Sequence, residues 1–340
     1  MHRVFLEDVE KIKSRIDLSS LNKKRVLITG GSGLIGQYLL NLLVSLVESD
    51  GLQIEIDSIS KRIPLAGTIS SSPVINFLQV DLGNEFTLDI RRKYDFIIHA
   101  AGYGQPQKFL TNEIATLTIN GASTIRLSNY LEEGGIFLFL STSEIYLGSV
   151  NFPNSEADIG HIGSDHQRAP YVIGKSYGET FMASLRRAGI NTKIARVALA
   201  YGPGTARDDS RVLNEFIRRG ILEKNIALMD QGKAIRTYCY VADTVEMLMN
   251  IALFGTSLTY NVGGISRVTV LELAELVGGF LGVEVTTPLT ENFLTSAPQE
   301  VSLDMTKYTE EFGSVDFQSL RNGLGRTIDW QRETLYSEEN

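Results

Sequence analysis

Along the first half of the chain, short apolar runs alternate with longer stretches of helical spacing. Arg25–Thr29 (RVLIT) reads as a short apolar strand, and Gln37–Val47 is apolar nearly all round, as a buried helix would be. Ile54–Ile59, Ile75–Val80, Asp95–Ala100 and Gly135–Leu140 are further strand candidates, with helical stretches near Glu113–Glu132. A helix over Tyr177–Ala188 leads into another strand, Lys193–Ala200. Strands alternating with helices predict an α/β fold: a parallel sheet with helices on both faces. Beyond Tyr201 the pattern loosens, and Gly, Asp and Arg cluster over 202–211. Three more helices are predicted, around Arg211–Glu223, Val241–Leu253 and Val270–Leu281. At the other end, Met1–Lys24 sets Val4, Phe5, Val9, Ile12 and Ile16 against Glu7, Asp8, Glu10, Lys11 and Lys13. That alternation predicts an amphipathic surface helix and lacks a signal-peptide core. No low-complexity linker and no internal repeat interrupts the chain.

The 340 residues suffice for one large α/β unit or two lobes sharing a core. A hydrophobic content of 43% excludes a disordered chain. No apolar run is long enough to span a bilayer, so no membrane partner is expected. The formal net charge of −8 argues against a nucleic-acid binder, so an anionic ligand must rest on a few placed arginines and backbone amides. The single cysteine, Cys239, reads as a buried or half-buried thiol and points to a reducing cytoplasm. The four histidines, at 2, 99, 161 and 166, show no metal-ligand spacing, and no metal is expected.

The first chemical signal is Thr29-Gly30-Gly31-Ser32-Gly33-Leu34-Ile35-Gly36, directly after a strand and opening a helix. In that context Gly30, Gly33 and Gly36 form a dinucleotide-binding turn. One glycine permits the tight turn, one lets a pyrophosphate approach the backbone, and one lets helix and strand pack closely. The free amides of the helix start, Leu34 and Ile35 among them, then face the phosphates. An acid about 20 residues further on binds the adenosine ribose and favours NAD; Asp57 has that spacing. Should the strand end instead at Ser60-Lys61-Arg62, those groups could hold a 2′-phosphate and favour NADP. The spacing of Asp57 tips the reading towards NAD, with NADP open. Asp81-Leu82 is placed to meet the adenine edge. His99-Ala100-Ala101-Gly102 is placed to line the diphosphate and ribose, with the His99 ring non-catalytic.

The second signal is Tyr171-Val172-Ile173-Gly174-Lys175, a Tyr-x-x-x-Lys pair whose ends share one helix face. A tyrosine ordinarily titrates near pH ~10. A neighbouring ammonium and a nicotinamide cation both favour phenolate, making Tyr171 a usable base, while Lys175 can also hold the nicotinamide ribose. Upstream, Ser141-Thr142-Ser143-Glu144-Ile145-Tyr146 comes directly after a strand: a hydroxyl of Thr142 or Ser143 can bond the substrate hydroxyl being oxidised, and the Glu144 carboxylate can move a second proton. Without the other motifs, this segment would read as a turn capping a helix.

Taken in order from Val26 to about Gly264, these motifs resemble an extended short-chain dehydrogenase/reductase of the nucleotide-sugar epimerase/dehydratase group. The resemblance also covers Asn120, Tyr201-Gly202-Pro203-Gly204 and Arg236-Thr-Tyr-Cys-Tyr-Val-Ala-Asp243. It implies a Rossmann domain over 25–200 and a mainly nucleotide-sugar-binding lobe over 201–340, with 1–24 as a helical extension. It also implies a homodimer built on two helices per subunit. Within the group, Thr-Ser-Glu-x-Tyr at 142–146, Tyr-x-x-Gly-Lys at 171–175, and the segments from Asp209 to Ile217 and Arg236 to Val241 are similar to UDP-glucuronate decarboxylases. The 4,6-dehydratases carry Asp-Glu where this chain has Ser143-Glu144. Two departures bear on the sugar: Leu199 and Ala200 stand where an Asn usually contacts the diphosphate, and Gly148–Pro170 lacks the usual sequence.

The resemblance therefore implies an NAD-dependent enzyme of polysaccharide-precursor synthesis that works through a 4-keto sugar. Decarboxylation of a UDP-hexuronic acid is the leading expectation. A 4-epimerase, a 4,6-dehydratase and a 4-dehydrogenase share the same ketone, and a non-catalytic nucleotide sensor is the alternative from another class. Arg211 and Arg236 are expected to bind the nucleotide, since a planar guanidinium matches phosphate; Arg211 could equally be a solvated helix charge.

Overall fold

The computed structural model describes residues 2–62, 69, 72–84, 92–288, 298–314 and 316–337. Its centre is a seven-stranded parallel sheet. The strands are β1 (Arg25–Thr29), β2 (Glu55–Ser60), β3 (Ile75–Gln79), β4 (Tyr94–His99), β5 (Leu131–Thr142), β6 (Asn191–Val197) and β10 (Thr259–Val262), in the spatial order β10-β6-β5-β4-β1-β2-β3. Both faces are covered, so successive residues of β1 enter different cores: Val26 and Ile28 join one cluster, Leu27 the other. The first face packs against α2 (Leu34–Glu48) and α8 (Val241–Phe254); the second against α6 (Ala169–Arg187) and a helical stretch over 113–128. That stretch runs as α4 (Glu113–Thr118), a π-turn at Ile119–Ser123, and α5 (Thr124–Ser128). Strand order reverses between β1 and β4, and the crevice beyond their carboxyl ends is where such sheets bind ligands.

Most predicted elements are present, and the differences have local causes. The helix expected to reach Glu132 stops at Ser128, because Leu131 already pairs with Tyr94 of β4. The strand expected over Lys193–Ala200 is broken at Leu199, whose φ of 32° turns the chain out of the large sheet. Ala200 and Tyr201 (β7) then pair with β9 (Ile235–Tyr240) in a second sheet completed by β11 (Ser266–Thr269) and β13 (Glu300–Val301). This sheet forms the smaller lobe, with a β8 (Asn225–Ala227)–β12 (Glu284–Thr286) pair and helices α7 (Val212–Leu222) and α9 (Val270–Leu281). The segment beyond 200 thus serves both lobes, since α8 and β10 return to the large one. Two short helices complete the described residues, α3 (Pro106–Thr111) and α10 (Thr306–Phe312), with a longer one, α11 (Leu320–Thr334), near the C-terminus. None of the described helices is long and apolar enough to cross a membrane.

The N-terminal helix α1 (Arg3–Lys13) is more than a surface helix. Val4, Phe5, Val9 and Ile12 are buried in the main core, against α2 and α8. Each such side chain contributes roughly 1.5–3 kcal/mol relative to exposure. At the centre of the contact, the buried Asp8 carboxylate accepts hydrogen bonds from Tyr38 (2.9 Å), Tyr240 (2.8 Å) and Arg326 of α11 (2.8 Å). A carboxylate this deep is tolerated because three donors meet it.

Candidate active site

The glycine-rich turn joins β1 to α2. Gly30 has φ of 77°, and a Cβ there would lie 2.8 Å from the Ala101 backbone. A Cβ on Gly36 would overlap the Gly30 carbonyl oxygen, so only glycine lets α2 start this close to the strand. Gly33 is the N-cap of α2 and provides no side-chain acceptor, leaving the first amides of Leu34 and Ile35 for a ligand. Glycines that press the backbone together beside an uncapped helix start fit a dinucleotide diphosphate.

Across the crevice, β4 ends in a relay of hydrogen bonds. Ala101 N–H donates to Thr29 Oγ1 (3.2 Å), which bonds His99 Nδ1 (2.7 Å), while His99 Nε2 bonds the Ile119 carbonyl (3.1 Å). Because a carbonyl can only accept, the proton sits on Nε2, and Nδ1 receives the Thr29 hydroxyl. His99 is buried, and burial pushes its pKa down to about 3, so it stays neutral and structural. Ala100 and Gly102, beyond it, line the main cavity. Asp81 and Leu82 stand at the carboxyl end of β3: Leu82 is buried, and the Asp81 carboxylate accepts from Gly83 N (2.9 Å), Asn84 (3.0 Å) and Lys61 (2.9 Å).

Asp57, expected to hold the adenosine ribose, does not lie at the strand end. It sits inside β2, buried, with its oxygens taken by Asn76 (3.0 Å) and Tyr94 (2.5 Å). The strand runs on to Ser60, so the residues at its carboxyl end are Ser60, Lys61 and Arg62.

The cavity has a volume of about 490 Å³, within the range of small-molecule sites. Thr142, Ser143, Glu144, Tyr171, Lys175, Arg211 and Arg236 all line it. Tyr171 and Lys175 belong to α6, which begins at Ala169, earlier than the apolar pattern indicates, with Pro170 in its first turn. Thr142, at the end of β5, hydrogen-bonds the Tyr171 hydroxyl, and its Oγ1 also accepts from Glu144 N (3.2 Å). The Tyr171 ring stacks on Phe109 at 4.5 Å between centroids. Lys175 Nζ donates to the Leu140 carbonyl (2.6 Å) and lies over the Phe139 ring. Burial brings the Lys175 ammonium down to about 7 and pushes the Tyr171 phenol up to about 12. The protein alone therefore does not set Tyr171 as a phenolate; its immediate surroundings favour the neutral form.

Arg168, which the pattern of residues did not single out, holds Glu144. Its Nε and Nη2 reach the two carboxylate oxygens at 3.1 and 3.0 Å. The signal available was its place one turn before Tyr171, at the start of the same helix. Burial raises the Glu144 pKa, opposed by Arg168 and then Arg236. Arg236, on β9, donates to its neighbouring Ile235 carbonyl (2.7 Å) and makes no ion pair among the described residues. Arg211, at the N-terminus of α7, is no solvated helix charge: it forks onto Asp209, with one contact at 2.6 Å, and reaches the Ala200 carbonyl at 3.3 Å. Leu199 and Ala200 themselves form part of the wall. The buried Cys239 lies on β9, outside this cavity, with its thiol pushed up by burial.

Residues 26–263 match the model of the NAD dependent epimerase/dehydratase family. UDP-glucuronic acid decarboxylase 1 of Arabidopsis thaliana is 27% identical over 317 residues, covering 93% of this chain and 71% of that protein. Among solved structures, the UDP-glucose 4-epimerase of Thermotoga maritima superposes with a TM-score of 0.76 at 22% identity, over 92% of this chain and 99% of its own. The dTDP-glucose 4,6-dehydratase of Streptomyces venezuelae gives 0.77 at 21%, over 92% and 98%. A doubly wound sheet, a glycine turn against an uncapped helix, and a Thr–Tyr–Lys set facing one cavity accompany that match, and the chain belongs to the NAD dependent epimerase/dehydratase family.

Proposed function

We propose that this chain converts a nucleotide-linked hexuronic acid, UDP-linked as for its relatives, by decarboxylation through a 4-keto sugar. The observation that carries the reading is the charge of the cavity wall. Glu144 is met by Arg168, Arg211 by Asp209, and Arg236 is left without a carboxylate among the described residues. That surplus cation suits a substrate with a carboxylate as well as a diphosphate. The relatives named as UDP-glucuronic acid decarboxylases support the same choice.

A nicotinamide dinucleotide, held by the glycine turn and Lys175, would supply the hydride acceptor for C4 and the donor for the later ketone. The chain's own residues do the rest. Thr142 orients the C4 hydroxyl, and Tyr171 takes its proton as the hydride leaves. A nicotinamide cation bound beside Tyr171 would favour the phenolate that burial disfavours. Lys175, anchored on the Leu140 carbonyl, is placed beside Gly102 to hold the nicotinamide ribose. The 4-ketone makes the C6 carboxylate a β-keto acid, which loses carbon dioxide and leaves an enolate at C4–C5. Glu144, its pKa raised, is the group able to hold a proton for C5, with Ser143 beside it.

The lone buried Cys239 suits a reducing cytoplasm. We also propose a homodimer through α4 and α6, which pack together and expose Ile114, Leu117, Ile173 and Tyr177.

The test is incubation with a panel of nucleotide sugars and mass spectrometry of the products. Loss of carbon dioxide from a uronate supports decarboxylation. An unchanged uronate beside a converted neutral sugar turns the assignment to an epimerase, dehydratase or dehydrogenase. Tyr171→Phe should abolish turnover and leave dinucleotide binding intact; surviving activity would mean another base. Dinucleotide and sugar binding without turnover in the unaltered protein would mark a sensor.

A further inference from the structure

We infer that the adenosine end of the dinucleotide site is built for a ribose carrying a 2′-phosphate, the NADP class of cofactor. This rests on the dinucleotide reading above and goes one step beyond it, because the redox half of the molecule is common to both forms.

Strand register locates the deciding residue. Thr29 pairs with Ile59, and Gly30 N donates to the Ile59 carbonyl at 2.8 Å. Ser60 is therefore the side chain set beside the glycine turn, and its Oγ accepts from Ser32 N at 3.2 Å. In an NAD site this end of the strand carries the carboxylate that takes the ribose hydroxyls. Here it carries a hydroxyl.

Neither neighbouring acid can stand in. Between Asp57 and Asp81 the sequence has no acidic residue at all. Asp57 is three positions back, buried, with Asn76 and Tyr94 on its oxygens. Asp81 holds Lys61, Gly83 N and Asn84.

Past Ser60 the strand end is cationic. Lys61 and Arg62 both follow the strand end and are exposed, Lys61 beside Asp81, and Arg62 makes no ion pair among the described residues. The Ser60 hydroxyl, with its acceptor side used by Ser32, still has a proton to donate. A hydroxyl, an ammonium and a guanidinium can each donate to a phosphate dianion, whereas the two cations cannot accept from a free 2′-hydroxyl and the Ser60 hydroxyl lacks the charge with which a carboxylate would do so.

The experiment is calorimetric titration of the cofactor-stripped full chain with NAD⁺ and with NADP⁺. NADP⁺ should bind at least about tenfold tighter, a step of about 1.4 kcal/mol. The gap should narrow as salt rises, since exposed charges are screened. Arg62→Ala should remove most of the difference by weakening NADP⁺ alone, and Ser60→Asp should reverse it. Equal or tighter binding of NAD⁺, or an unchanged ratio in Arg62→Ala, overturns this inference and leaves the proposed function standing. Failure of both nucleotides to bind sinks the dinucleotide reading and this inference with it.

Discussion

Replacing Arg168 by Gln isolates the pair at the heart of the cavity. The fork onto Glu144 has two bonds, of 3.1 and 3.0 Å, and the two side chains are 11% and 19% exposed. That places the pair between a solvated surface bridge and a sealed one. A hydrogen bond to a charged group contributes about 1.5–3 kcal/mol net, and leaving its partner buried and unpaired adds to the loss. With Arg236 still nearby, the expected cost near pH 8 is about 2–4 kcal/mol, with a coupling of about 2 kcal/mol in the cycle with Glu144→Gln. Losing Arg168 should push the Glu144 carboxyl, which burial already holds above its ordinary value of 4.5, further up. A carboxyl raised in the folded state binds more protons there than in the unfolded chain. The deficit of the variant must therefore open as pH rises above that ordinary value and close below it, to under about 1 kcal/mol near pH 4. Urea unfolding at both pH values, with the double-mutant cycle, measures this. An equal deficit at both, or a coupling below about 0.5 kcal/mol at pH 8, refutes the claim that Arg168 acts through the Glu144 charge.

Gly36→Ala should weaken dinucleotide binding by about tenfold or more while the circular dichroism of the fold persists, because the new methyl overlaps the Gly30 carbonyl and pushes α2 off the turn. Calorimetry checks it, and unchanged affinity would mean the turn tolerates the shift. Asp8→Ala leaves two phenols and Arg326 facing an emptied site, and should cost about 3–5 kcal/mol in urea unfolding; under about 1 kcal/mol would show the cluster to be incidental. Lys175→Met should abolish turnover yet stabilise the protein, more at pH 6 than at pH 9. The folded-state ammonium titrates near 7 against 10.5 for a free lysine, so the penalty of burying it is full below 7 and fades as pH rises. A gain that grew with pH would contradict that sign.

The parts of the site legible in the sequence were those fixed by neighbours in the chain. Gly30, Gly33 and Gly36 carry their meaning in a short turn between a strand and a helix, and Tyr171 with Lys175 in a single helical repeat. Asp57 misled because counting residues from a glycine does not say where a strand ends. Three further residues of β2 carried the strand to Ser60, and Tyr94 and Asn76, distant in sequence, had already claimed the carboxylate. Arg168 was missed for a related reason: its value lies in meeting Glu144 across the cavity. The lobe junction at Leu199 was hidden inside a continuous apolar run, since a single left-handed residue leaves hydrophobicity unchanged. The apolar stripe of α1 was plain, but what would cover it was not.

That stripe bears on how the chain is made. Arg326 closes on Asp8 across 318 residues of sequence. At about 5–20 residues per second, roughly 15–60 s separate the synthesis of one from the other. Through that interval the helix that emerges early has a carboxylate without its cation and a stripe whose packing is incomplete. Chaperones and proteases read such exposed apolar surface. The Asp8–Arg326 contact thus makes the full cover of an early helix wait on a late one.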